Sequence, residues 1–498
     1  MRNNRFFIII LSCFVFCDIF SQNTELTLER SIEIATDSSL QAFRAKNLYL
    51  SGYWQYRSFK AERLPSVTLN ATPLRYNRHI TQRYDSELNQ DVYRSQQSFY
   101  SYGNLSVQQN FDLTGGTFFI DTELGYLKNI EGNTSQFSSV PFRIGYSQSL
   151  FGFNSFKWEK KIEPLRYEKA KRDFLYAREE ISETVIQYFF ALAMAQKEYE
   201  IAQDNLTSAD TLYRIGTEKQ KIAAIAQADL LTLKLDAVNA KNALKNAETG
   251  LKRAMFGFVS CLNLDKNTQV KITLPVRPSN LIISAEEALA FTQKNNPDYL
   301  SNRLEHLEAE REVERTKRSS NFDASFSASV GFNQVGNTLR QVYTDPLRQD
   351  VVSIGLTIPV LDWGVRKGRA NMALNNLNVT KISIQQREIA MEQDVVMTVS
   401  DFNIQQDLIN SAEEALALAN MAYNVNKERF ILGKADLSAL TLAQNRQNTA
   451  QRNYISALRD YWVNYYKLRR LTLYDFFNKQ ELGGEFFNYE LRITNDKK

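Results

Sequence analysis

The sequence predicts a mixed fold of long α-helices and membrane-crossing β-strands, built as two tandem copies of one unit. Three observations lead there. Only nine prolines and 19 glycines occur in 498 residues, so long stretches run without a turn former. The chain repeats itself at a fixed offset. Within each copy the apolar period changes from helical spacing to strict alternation and back again.

Composition narrows the function. Sixty basic against 56 acidic side chains leave a formal charge of +4, too weak a field to expect nucleic acid as a partner. Two histidines, His79 and His306, and three cysteines offer no metal cage, disulfide framework or thiol relay, and no cofactor is expected.

At the N-terminus Arg2 and Arg5 precede an apolar run from Phe6 to Phe16, and small Ser21 follows Ile19-Phe20. This is the pattern of a secretory signal peptide over residues 1–21. The run falls far short of the ~20 apolar residues of a spanning helix. Bulky Phe16 occupies the position where lipid attachment to Cys17 would want a small residue. After residue 21 no apolar stretch reaches spanning length, so any membrane passage must be made of strands.

The repeat sets Leu28-Glu29-Arg30-Ser31-Ile32-Glu33 against Ala285-Glu286-Glu287-Ala288-Leu289-Ala290, an offset of 257 that holds to Ser66-Val67-Thr68-Leu69 over Asp323-Ala324-Ser325-Phe326. Ile144-Gly145 then matches Ile354-Gly355. Gly216 precedes Ala226-Gln227 and Leu251-Lys252-Arg253 by the spacings with which Gly433 precedes Ala443-Gln444 and Leu468-Arg469-Arg470. The expected organisation is a first repeat at 22–257, a linker at 258–281, a second repeat at 282–472 and a tail at 473–498. Between Ala71 and Gly145 the first copy spans 74 positions, and between Ala328 and Gly355 the second spans 27, so an insertion sits at one end of the unit.

Each copy opens with an amphipathic helix, Leu28 to about Arg63 and Ala285 to about Arg318. Alternation follows. Ala324, Phe326, Ala328, Val330 and Phe332 alternate with Ser325, Ser327, Ser329 and Gly331, and Val352, Ile354, Leu356, Ile358 and Val360 with Ser353, Gly355, Thr357 and Pro359. Both runs approach the ~10 residues of a strand crossing an outer membrane. Phe326, Val330, Ile354 and Leu356 are therefore expected to face lipid, and Ser327, Ser329, Gly355 and Thr357 the lumen. In the first copy Val67, Leu69 and Ala71 go out and Phe142, Ile144, Tyr146 and Leu150 come back. Residues 105–111 and 118–126, around Gly115-Gly116, form an extra hairpin that either elongates a barrel wall or folds into a large external loop.

From Phe174 to Tyr213 apolar or alanine positions recur at alternating intervals of three and four, the seam of a coiled coil. Ala226 to Ala254 continues it on a descending helix. Phe151 to Gly216 as one helix would span ~98 Å. The chain should reverse at Gly216 and Gly433, where glycine can enter the left-handed conformation.

In this order the pieces resemble the TolC family of outer-membrane factors over nearly the whole mature chain. The marks are Leu28-Glu29-Arg30-Ser31-Ile32, Leu64-Pro65-Ser66, Ile358-Pro359-Val360-Leu361-Asp362-Trp363-Gly364-Val365-Arg366, and the tips Tyr213-Arg214-Ile215-Gly216 and Arg429-Phe430-Ile431-Leu432-Gly433. The resemblance implies a TolC-like trimeric 12-stranded β-barrel, four strands per chain, continued by a long periplasmic α-helical coiled-coil barrel. It implies passive export through the cell outer membrane. Its implied partners are a periplasmic adaptor (membrane fusion) protein, an inner-membrane efflux pump or ABC transporter, two further copies of the chain and outer-membrane lipid. The tip residues Tyr213, Arg214, Ile215, Gly216, Arg429, Phe430, Leu432 and Gly433 are the candidate docking site for the adaptor. Asp436 and Glu218 are the carboxylates nearest the tips and the candidates for a periplasmic gate, although Ala439-Leu440-Thr441-Leu442 stands where family members often carry aspartates.

The rivals fare worse. No Gly-rich phosphate loop follows a strand, and the carboxylates Glu179-Glu180 are expected to be solvated on a helix face, so an enzyme is not indicated. A periplasmic adaptor would carry one helical hairpin where this chain has two, and a coiled-coil structural protein of the envelope would not fold back at its glycines.

Overall fold

The computed structural model describes residues 24–130, 132–222, 225–276, 280–320, 322–432, 434 and 437–483. The expected signal peptide, Gly433, Asp436 and most of the C-terminal tail lie outside the described residues.

The chain opens with β1 (Thr24–Leu26), α1 (Leu28–Ser38) and α2 (Leu40–Ala61). Strands β2 (Ser66–Asp85), β3 (Gln90–Phe111), β4 (Gly116–Asn129) and β5 (Thr134–Ser149) follow, then α3 (Ser155–Lys221) and α4 (Gln227–Cys261). Inside the expected irregular linker, β6 (Val270–Ile272) pairs in parallel with β1. Then come α5 (Ala285–Asn295), α6 (Pro297–Ser320), β7 (Asp323–Gly336), β8 (Leu347–Thr357), α7 (Val365–Ile431) and α8 (Leu437–Thr472). A small hairpin, β9 (Tyr474–Asp475) and β10 (Gln480–Glu481), ends the described chain. The order recurs, and so do the lengths: α3 and α7 each have 67 residues, α4 has 35 and α8 has 36.

The opening helix of each copy is not single, as expected, but broken. Ser39 turns out of the helix with extended backbone and its Oγ accepts from the Ala42 N–H at 3.1 Å. Asn296 stands 257 positions later, and its Oδ1 accepts from the Asp298 N–H at 2.8 Å. Both are N-caps that satisfy a free donor at the start of the next helix, and Pro297 has no N–H to lose there.

The chain packs as two compact units. One comprises the described parts of 1–45, 175–290 and 395–484, the other those of 46–174 and 291–394. The first unit is helical, with Phe189, Phe190, Phe258, Phe402, Tyr461 and Tyr465 fully buried. The predicted seam accounts for Ile181, Val185, Leu192 and Ala202, which are buried, but not for Tyr188, which is exposed. A second buried stripe, Ser182, Ile186, Phe189 and Ala193, lies beside it, so α3 packs on two flanks. Helix α8 is tied to α3 by Arg452 and Glu198 at 2.8 Å and by Gln444, which donates to Asn205 at 2.7 Å.

Glu179 corrects another expectation. It is buried, and both it and Asp475 hold Arg469, at 3.0 and 2.9 Å, while Glu180 alone is exposed. Asp475 accepts from the N–H groups of Phe477 and Asn478, both at 3.0 Å, and from the Tyr465 hydroxyl at 2.8 Å. Burial would raise its pKa, but these hydrogen bonds and the Arg469 cation keep the carboxyl below its ordinary range. The cluster fastens the β9–β10 hairpin to the end of α8 and to the body of α3. Burial also pushes the Tyr461 hydroxyl up to about 12 and the Cys261 thiol up to about 11, so neither ionises near neutrality.

The second unit holds one antiparallel sheet in the order β2-β3-β4-β5-β7-β8. The expected four strands per chain are six. The inserted hairpin is not an external loop, because β3 pairs with β2 along one edge and with β4 along the other, and β4 pairs with β5. A hairpin with one apolar and one polar face finds both satisfied inside a sheet whose other strands have the same two faces. In the helices of this unit Trp158, Ile162 and Leu304 form a core cluster, and the Trp158 indole N–H donates to Glu314 at 2.8 Å. The rings of Tyr56 and Tyr167 stack at 4.7 Å.

Candidate functional site

Residues directly opposite each other in a sheet share a face. One row of partners runs Val67, Val107, Ile120, Ile144, Val330; another runs Leu356, Ala324, and a third Ile354, Phe326. These side chains make one apolar face across all six strands, buried at Ala324 but otherwise open: Val67 is 67% exposed, Ile120 41%, Val330 48% and Ile354 70%. A soluble sheet buries such a face; here it stands open, and the buried positions of the middle strands, Asn104, Ser106 and Asp121, are on the polar face, while polar residues of the edge strands such as Thr68 and Ser353 are exposed. The parity expected for Phe326, Val330, Ile354 and Leu356 places all four on the open apolar face, with Ser327, Ser329, Gly355 and Thr357 on the other.

The apolar face is bounded. Outward-facing positions turn polar at Arg78 on β2, Gln97 on β3, Lys128 on β4 and Asp350 on β8. Aromatic pairs stand near the limits, Tyr76 with Phe99 at 5.3 Å and Tyr126 with Phe137 at 4.8 Å at one end, Phe118 with Tyr146 at 4.5 Å toward the other. Aromatic girdles of this kind flank the apolar belt of membrane barrels. The belt also crosses the strands obliquely. Val67 is its inner limit on β2, yet the row of partners from Val67 ends on β8 at Asp350, already past the outer limit at Val352. On β8 the inner limit within the strand is Leu356, six residues from Asp350. Six residues make about 20 Å of strand over five spacings, or about 24 Å, a slope of about 40° that matches the tilt of strands in barrels.

The polar face carries an ionic cluster. Arg143 on β5 donates to Asp121 on β4 through Nε at 2.9 Å and Nη2 at 2.6 Å, and to Glu123 at 2.7 Å, while Asn104 on β3 donates to Glu123 at 3.2 Å. Asn104, Ser106 and Asp121 are buried. The Phe119 ring lies against Gly145, where a Cβ would come within 2.3 Å, so glycine leaves room for it. Sequence alternation located these strands but not the Arg143 cluster, whose cation on β5 meets two carboxylates of β4.

The tips differ from expectation. Gly216 does not reverse the chain: α3 runs through it to Lys221, and the turn follows before α4, with Ala226 as N-cap. Its role is close approach, since a Cβ there would stand 2.6 Å from Leu233 Cδ1 of α4. Ile215 is 39% exposed, Arg214 is exposed and Tyr213 half-buried. On the other hairpin α7 ends at Ile431, Leu432 is 68% exposed, Arg429 is exposed and Phe430 half-buried. The Lys434 N–H donates to the Arg429 carbonyl at 2.8 Å, closing the helix end. Glu218 is an exposed surface carboxylate paired with Lys221 at 2.7 Å. Among the described residues no second carboxylate is brought to it, and Asp436 lies outside them.

An open oblique apolar belt on a six-stranded sheet, in a chain with two 67-residue helices, defines the class: the fold is that of the TolC-type outer-membrane channels. Residues 284–472 match the family model described as outer membrane efflux protein, so the chain carries that domain. Among solved structures it is similar to the VceC outer membrane protein of Vibrio cholerae, at 15% identity and a TM-score of 0.62, covering 89% of this chain and 95% of that one. The CmeC outer membrane channel of Campylobacter jejuni shares 14% identity at a TM-score of 0.65, with 89% and 85% covered. A membrane protein from Pseudomonas aeruginosa shares 15% identity at 0.63, with 89% and 90% covered. No curated protein sequence matches the chain.

Proposed function

We propose that the chain is the outer-membrane exit duct of a tripartite efflux or type I secretion system, a passive conduit for small molecules or secreted substrates through periplasm and outer membrane. The observation that carries this is the open apolar belt spanning every strand of the sheet, with the polar and charged side chains, among them the Arg143, Asp121 and Glu123 cluster, on the other face. Lipid covers the belt and water fills the polar side.

The duct is a homotrimer of chains organised as two repeats, 22–257 and 282–472, joined by the linker 258–281. Exposed apolar side chains at helical spacing, Leu231, Leu235 and Val238 on α4 and Val379, Ile382 and Ile389 on α7, support a helical tube in which neighbouring copies cover them. An adaptor docks on the exposed tip side chains Ile215 and Leu432, and an inner-membrane pump or ABC transporter supplies the energy. Glu218 and Asp436 are the carboxylates available for a periplasmic gate. The test is density-gradient fractionation with unboiled gel electrophoresis: a heat-modifiable trimer in the outer membrane is expected, and a soluble monomer without detergent overturns the proposal.

A further inference from the structure

Among the described residues the sheet has two unpaired edges. β2 and β8 stand at opposite ends of its order and do not bond to each other. An open edge in hydrocarbon leaves a row of backbone donors and acceptors without partners, at several kcal/mol per group. The sheet cannot close on itself: six strands at a tilt of about 40° would make a ring only about 12 Å across, and the smallest membrane barrels need eight. The apolar face runs out to both edges undiminished, with Leu69 at 69% and Val352 at 72% exposed. Neither edge is blunted within the belt by a charged outward residue, the usual guard against pairing. The six strands alternate in direction, so β2 and β8 are antiparallel and β2 of one copy can continue the ladder from β8 of the next.

From these edges, and resting on the trimeric duct proposed above, we propose that three copies close a single eighteen-stranded barrel. The occupant of each edge is a second copy of this chain. At 4.8 Å per strand and a tilt of about 40°, eighteen strands give a backbone diameter of about 36 Å, against about 24 Å for the twelve strands that the family resemblance implied. Barrels of 16 to 18 strands keep an aqueous channel. The β3–β4 hairpin thus widens the outer-membrane portal by half, and each copy sets the Arg143, Asp121 and Glu123 cluster on its lumenal wall. The register follows from the belt: for the apolar limits to stay level across the joint, Ile354 must meet β2 near Leu69 or Ala71.

The experiment pairs Ile354→Cys with Leu69→Cys or Ala71→Cys in the full chain and oxidises intact outer membranes. The expected result is dimers and covalently closed trimers on non-reducing gels from at least one pair, and none from Ile354→Cys with Ile120→Cys, which lies mid-sheet. Electron cryo-microscopy of the detergent-extracted particle then counts the strands. Eighteen strands with threefold symmetry are expected. Twelve strands, whether from a dimer or from a trimer with the hairpin outside the wall, overturn the inference while leaving a membrane duct intact. A particle that does not partition into membranes at all overturns the duct itself.

Discussion

Placing a charge on the open apolar face should cost far more than placing it on the polar one, and the sheet register says which positions belong to each. On β7 the outward residues of the belt are Ala324, Phe326, Ala328, Val330 and Phe332, so Ala328 sits at its middle. Ala328→Arg should destabilise the barrel by about 2 to 4 kcal/mol, the cost of an arginine at the bilayer midplane, or roughly 30- to 900-fold in the folding equilibrium. Phe326→Arg should fall in the same range. Val330→Arg should cost less, because its partner across the ladder is Asp350, which can pair with the new cation. Ser327→Arg and Ser329→Arg, on the polar face, should cost under about 1 kcal/mol. Denaturant titration of each variant in lipid vesicles reads these values. Equal costs on the two faces would refute the lipid-facing assignment, and an undiminished cost at Val330 would refute the register.

Ile215→Asp with Leu432→Asp should abolish export while the trimer still assembles in the outer membrane, because both side chains are exposed at helix ends; retained export would mean that the pump joins elsewhere. Gly216→Leu should destabilise the α3–α4 hairpin by about 1 to 3 kcal/mol through overpacking against Leu233, read as earlier protease cleavage near residue 222. Asp475→Ala, which strips Arg469 and Tyr465 of a buried partner, should cost about 3 to 5 kcal/mol in thermal unfolding. Since the Asp475 pKa is depressed in the fold, its contribution is complete above the ordinary carboxylate pKa of about 3.9 and fades as pH falls through and below it. Asp475→Asn should therefore flatten the loss of stability between about pH 5 and pH 3, and an unchanged slope would remove Asp475 from that account.

Period and repeat made the fold class legible, along with the faces of β7 and β8 and the outer strands of the first copy. What escaped has physical causes. The outer half of β2 and β3 was not recognised because the register shifts between Thr72 and Arg75, which flips the parity, and because Arg78 and Gln97 break the alternation beyond it. The expected four strands became six because the sequence of 105–126 is equally compatible with a wall or a loop until its partners on both sides are known. The second seam of α3 escaped because the three-four count steps from Val185 to Tyr188 to Leu192 and passes over both Phe189 and Phe190, which are buried. Glu179 looked solvated beside Glu180; its partner Arg469 lies 290 residues away. Ser39 and Asn296 were legible in principle, as two capping residues at the same place in both copies.

The most direct test of the account is labelling of single cysteines in intact cells with a membrane-impermeant maleimide. Thr338→Cys, in the exposed segment between β7 and β8, should react from outside, and Val352→Cys, in the belt, should react only after detergent. Ready aqueous labelling of Val352→Cys, or protection of Thr338→Cys in intact cells, would contradict the claim that this sheet crosses the outer membrane with its apolar face in lipid.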